Sequence, residues 1–165
     1  MWLRGEGGAV SKVEAERCFR EAARTGDAVG EFALGELLYY EAKDYEEALR
    51  LLALAASKGV VGAEVTLAMA AEMGHGMLCD PEKAVAEYRR LQAVSPVAVV
   101  RLADCLMWGV GTQSNVGEAE QLLIAATRLD HPAAWRALGD LYRIYKDDKE
   151  SAVRCFKQAA CSGIA

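Results

Sequence analysis

Residues 33–40 read ALGELLYY and residues 43–59 read KDYEEALRLLALAASKG. In the first run Leu34 is followed by a small residue, Gly35, with Gly30 four residues before it and Leu38 four residues after. In the second, Asp44 stands four residues before Ala48, which stands four before Leu52 and eleven before Gly59. Small and apolar residues at intervals of four make one face of a helix, and the small ones let a second helix come close. Both runs recur along the chain, so the fold turns on a repeat.

The first pattern returns at Leu67, Leu102 and Leu138, each followed by a small residue: Ala68, Ala103 and Gly139. Four residues earlier stand Ala63, Ala98 and Ala134, and four later Ala71, Leu106 and Tyr142. The second returns as Ser11, Ala15, Phe19; as Asp80, Ala84, Tyr88; as Asn115, Ala119, Leu123; and as Asp148, Ala152, Phe156. Ser, Asp and Asn are preferred helix N-caps, each worth about 1 kcal/mol through a bond from a first-turn N–H. Glu14, Glu47 and Glu118 add capping-box spacing, and Pro81 takes the first helical position, where its missing N–H costs nothing. Eleven residues past the alanines come Gly26, Gly59, Ser95, Asp130 and Gly163, three of them glycines placed to stop a helix. The repeat is therefore a pair of antiparallel helices, A then B, with anchor leucines 33, 35 and 36 residues apart.

Three copies carry Gly-x-Gly at the end of helix A: MWLRGEG at 1–7, AAEMGHG at 70–76 and CLMWGVG at 105–111. Aligned on Gly5, Trp2 falls in the column of Leu38, Ala71, Leu106 and Tyr142. The chain is thus expected to open at the end of a helix A whose first turns are missing, either as a truncated first repeat or as a segment of a longer solenoid.

These residues resemble the Sel-one-like repeat (SLR), a branch of the tetratricopeptide superfamily. ALGELLYY with KDYEEALRLLALAASKG, and ALGDLYRIY at 137–145 with KDDKESAVRCFKQAACSG at 146–163, match its helix A and helix B patterns. The middle copies depart, with LQAVSP at 91–96 replacing the usual end of helix B. The resemblance implies an all-α, right-handed superhelical solenoid of antiparallel helix pairs, forming a single domain over 1–165. A partial repeat at 1–27 precedes full repeats at 28–60, 61–96, 97–131 and 132–165. It also implies an adaptor or scaffold for other proteins.

The formal net charge of -5, without a basic stretch, argues against a nucleic-acid partner. The longest run free of charge, 105–117, is too short to cross a bilayer, so no membrane insertion is expected. Arg4 and Glu6 interrupt any apolar signal segment, which favours a cytoplasmic location unless the chain is a piece of a secreted protein. Cys18, Cys79, Cys105, Cys155 and Cys161 form no CxxC and read as small buried hydrophobes in a reducing compartment, Cys18 and Cys155 sharing one helix B column. Neither His75 nor His131 has a second ligand at zinc-site spacing, and no cysteine has a paired histidine. Gly-x-Gly here ends a helix instead of following a strand, so it does not read as a phosphate cradle. No enzyme activity, metal or cofactor is expected.

In such a solenoid the helix A face turned away from helix B lines the concave surface. The columns on that face supply Phe32, Glu36, Tyr39, Tyr40, Met69 and Glu72, then Met73, Asp104, Met107, Trp108, Asp140 and Arg143. Methionines and aromatics flanked by acids suit a groove for an apolar or mildly basic peptide or helix of another protein. The competing reading makes Tyr40, Met73 and Trp108 internal packing against the next repeat. Self-association through exposed solenoid ends, a structural segment of a longer scaffold, and a bacterial immunity or regulatory protein that occludes a cognate enzyme are the other functions the resemblance leaves open.

Overall fold

The computed structural model describes residues 12–128 and 131–162. Expectations for Trp2, the first Gly-x-Gly, the Ser11 cap and the stop glycine Gly163 lie outside the described residues. These residues divide between two compact units. Of the described residues, unit 1 comprises 12–67 with 75–77, and unit 2 comprises 68–74, 78–128 and 131–162.

Unit 1 holds helix α1 (Lys12–Arg24), helix α2 (Ala28–Leu37), a π-helical turn (Leu38–Ala42), helix α3 (Tyr45–Ser57) and the first turns of helix α4 (Val61–Met73). Unit 2 takes the end of α4, then α5 (Pro81–Leu91), α6 (Pro96–Trp108), α7 (Val116–Thr127), α8 (Pro132–Tyr145) and α9 (Lys149–Cys161). The architecture is all-α, with α2, α4, α6 and α8 as helices A and α1, α3, α5, α7 and α9 as helices B. Within the units α2 packs on α3, α6 on α7 and α8 on α9. Their short connections force each pair antiparallel.

The caps expected from sequence form. Asp44, Asp80, Asn115 and Asp148 accept bonds from the N–H groups of Glu47, Lys83, Glu118 and Ser151. Each capping residue also donates its own N–H back to helix A. The acceptors are the carbonyls of Leu38, Ala71, Leu106 and Tyr142, at 3.1, 2.8, 2.8 and 3.1 Å. Two sequence columns, six residues apart in the copies without Gly-x-Gly and nine in those with it, are therefore one hydrogen-bonded turn, repeated four times.

Where the turn has glycine, Gly109 ends α6 in the left-handed region at φ 70°. Gly111 follows at φ 64°, and a Cβ there would run into the Pro81 carbonyl, so no other residue fits. The copies without Gly-x-Gly reach the same turn differently. Lys43 and Asp147 adopt φ 56° and 48°, and α2 first loosens into its π turn.

The alanine column of helix B is buried throughout, and Leu34, Leu102 and Leu138 anchor helix A. Gly35 and Gly139 lie directly under Leu52 and Phe156, which is why the residue after the anchor stays small.

Ser95 caps α6, accepting from Ala98 N–H at 3.3 Å, with Pro96 at the first helical position. One expectation fails. The cysteines are not uniformly core residues, since Cys18, Cys79 and Cys161 are exposed and only Cys105 and Cys155 are buried. The column that buries Cys155 in α9 leaves Cys18 of α1 open to solvent.

Candidate functional site

Three successive A helices, α4, α6 and α8, contribute to one groove of unit 2, a cavity of about 390 Å³. Glu72, Asp104, Met107, Trp108, Asp140 and Arg143, all singled out in the sequence, meet there, joined by Arg101, Arg136 and Ile144.

The groove floor is an ordered set of charges. The Arg101 guanidinium donates to both Glu72 oxygens at 2.7 and 2.8 Å, and the Tyr88 hydroxyl donates to the same carboxylate at 2.7 Å. Burial pulls the Arg101 guanidinium down, but the contact with Glu72 outweighs it and the net shift is upward. Burial and the bond to Glu72 hold the Tyr88 phenol well above its usual range. Asp104, 3.8 Å from Arg101, is pushed up by burial despite the two nearby arginines. Asp140 is bound by Arg143 at 2.9 Å and by Arg136 at 3.4 Å.

An apolar rim stands over these pairs. Trp108 is 59% exposed and Ile144 42%. The Trp108 ring lies 5.7 Å from that of Tyr145, whose hydroxyl donates to the Met107 carbonyl at 2.7 Å and so fixes the rim from the side. Met107 itself is buried beneath. The Cys105 thiol near these charges is pushed up to about 12 by burial, which keeps it protonated. The groove thus combines paired charges with an exposed Trp108 ring.

The remaining predicted residues lie elsewhere. Phe32, Glu36 and Tyr40 line a separate pocket of about 400 Å³ in unit 1. Tyr39 is buried, its hydroxyl within 3.0 Å of His75 Nδ1, and His75 stacks on Tyr45. Met69 is half-buried and Met73 exposed, neither lining the groove. Arg101 escaped the sequence reading, although it is the one long charged side chain in the column just before the anchor, beside Ala33, Thr66 and Ala137. Among the described residues no group of three or more His, Cys, Asp or Glu is placed to hold a metal ion. No helix there is long and apolar enough to cross a membrane.

Helix pairs repeated in this way define an α-solenoid repeat protein. The Sel1 repeat model matches residues 2–27, 28–60, 96–131 and 136–164, and the chain belongs to that family. The unmatched stretch between the second and third segments, 61–95, includes LQAVS of the departing helix B end. Two solved structures share the fold. A Sel1 repeat protein from Oxalobacter formigenes is 24% identical, with a TM-score of 0.76 over 99% of this chain and 70% of that one. A protective antigen present in uropathogenic Escherichia coli strains, displaying an SLR fold, is 23% identical, with a TM-score of 0.64 over 99% of this chain and 36% of that one. Among curated proteins none matches. Proteins of this family are generally scaffolds for protein–protein interaction and are typically non-enzymatic.

Proposed function

We propose that the chain is a protein-interaction module and that in unit 2 it binds a polypeptide segment of a partner along the helix A face. The observation that carries this reading is the exposure of Trp108 and Ile144 over a groove drawn from three consecutive A helices. Exposed aromatic and aliphatic side chains grouped over a concavity are the usual anchors of an interface. The paired charges beneath favour a segment that presents an apolar side chain to Trp108 and polar groups to the arginines and acids. Such a segment would span three repeats, so its sequence matters over its whole length.

The test places a photoreactive amino acid at Trp108 or, as a control, at Val153, an exposed residue of α9. Crosslinking in the native host is expected to trap the same partner from position 108 and not from 153. Equal capture from both positions, or none from 108, removes the groove as the site. Capture of further copies of the chain alone would replace a foreign partner with self-association.

A further inference from the structure

Helix α2 of unit 1 carries a carboxylate that has no cation partner among the described residues. Glu36 stands two residues past its anchor Leu34, in the column that holds Asp104 and Asp140 in unit 2. Those two acids are served from their own helices, Asp104 by Arg101 three residues earlier and Asp140 by Arg136 and Arg143. At the corresponding positions around Glu36 unit 1 has Ala33, Phe32 and Tyr39. Three other acids of unit 1 are paired: Glu31 with Lys58 at 2.7 Å, and Glu16 and Glu47 with Arg20 at 2.9 and 3.6 Å. Glu36 has no ion pair among the described residues.

Its surroundings are mostly apolar. Phe19, Val29, Phe32, Ala33, Leu37 and Tyr40 line the pocket with it, and a second carboxylate, Glu41, stands at the same pocket. Phe32 packs against the core formed by Leu52, Ala55 and Ala63. Its ring sits over Gly62, where a Cβ would come within 2.6 Å of the ring, so this wall is fixed from behind. Burial pushes the Glu36 carboxyl up from its usual range. A purely apolar occupant would bury that carboxylate further with nothing to neutralise it, which is costly. A side chain with an aliphatic stem and a cationic end meets both the walls and the charge.

We propose that this pocket takes a lysine or arginine side chain from a partner polypeptide, the stem on Phe32 and Tyr40, the cation at Glu36, and an apolar neighbour of the same segment on Val29 and Leu37. The aromatic rings add attraction for the cation. The incoming charge stands where unit 2 supplies its own arginines. This inference rests on the reading of the helix A face as a polypeptide-binding face, but on residues of unit 1 alone.

The experiment titrates acetyl-Leu-Val-Lys-Val-Leu-amide into the full, nitrogen-15-labelled chain and repeats the titration with norleucine replacing the lysine. The lysine peptide is expected to shift amide resonances within residues 29–41 and to bind about tenfold tighter than the norleucine peptide, the factor set by one charge-assisted bond. Glu36→Gln should remove the difference between the peptides. Trp108→Ser should leave it intact, so failure of the unit 2 groove and failure of this pocket are read separately. Equal binding of the two peptides, a lysine preference that survives Glu36→Gln, shifts confined to other residues, or no shifts at all would overturn the proposal.

Discussion

The acids two residues past the anchor leucine meet opposite fates in the two units. In unit 2 Asp104 and Asp140 are enclosed by arginines three or four residues away on the same helix face, and Arg101 also ties up Glu72. In unit 1 aromatic and small residues replace those arginines, and Glu36 is left desolvated and without an ion pair among the described residues. One position in the repeat thus joins an ion pair in one unit and has none among the described residues of the other. The difference lies in side chains at helical spacing, which a repeat can vary without changing its backbone.

Breaking the self-sufficiency of unit 2 should have the largest effect. Arg101→Met leaves Glu72, 13% exposed, without its cation, and is expected to cost about 3 kcal/mol as an urea midpoint shift, because a part-buried carboxylate loses its partner. A loss no larger than that of an exposed pair would mean the network is ornamental.

A smaller effect, opposite in sign, is expected in unit 1. Glu36→Gln removes an unpaired desolvated charge and should stabilise the chain near neutral pH by about 1 kcal/mol. The pH dependence follows from the direction of the shift. A carboxyl raised in the folded state holds its proton to higher pH than the unfolded chain does, so its contribution falls as pH climbs from the ordinary carboxylate range to the raised value. Thermal melts across that window should show a shallower decline for the glutamine variant. Asp104, shifted the same way, keeps part of the slope in both proteins.

The smallest effect sharpens the comparison most. Ala33→Arg places in unit 1 the arginine that Arg101 supplies in unit 2, and an ion pair at that spacing adds only about 0.3–0.5 kcal/mol. It should nonetheless abolish the lysine preference of the pocket, since the site would carry its own cation. Retained preference would show that Glu36 is not what selects the side chain.

Much of the fold is legible in the sequence. The cap, alanine and leucine columns predicted the helix pairs because each residue type there has a local reason, a cap bond or a close approach, that does not depend on distant parts of the chain. Tyr39 and Tyr40 show where such reasoning stops. Both lie in the π turn at the end of helix A, yet successive side chains point to different sides, burying one against His75 and exposing the other. The π turn at Leu38–Ala42 left no sequence mark beyond the missing glycines. Arg101 was overlooked because its meaning comes from Glu72 and Tyr88, which lie in other helices. Cys18 misled for a related reason, since sharing a column with Cys155 does not guarantee the same cover.

The most direct test follows the Glu36 and Asp104 side-chain carboxyl resonances through a pH titration, with and without the lysine peptide. Both carboxyls should titrate above the ordinary range in the free protein, and the peptide should lower the Glu36 midpoint while leaving that of Asp104 in place. A Glu36 midpoint already in the ordinary range, or one that the peptide does not move, would contradict the contrast between the two units.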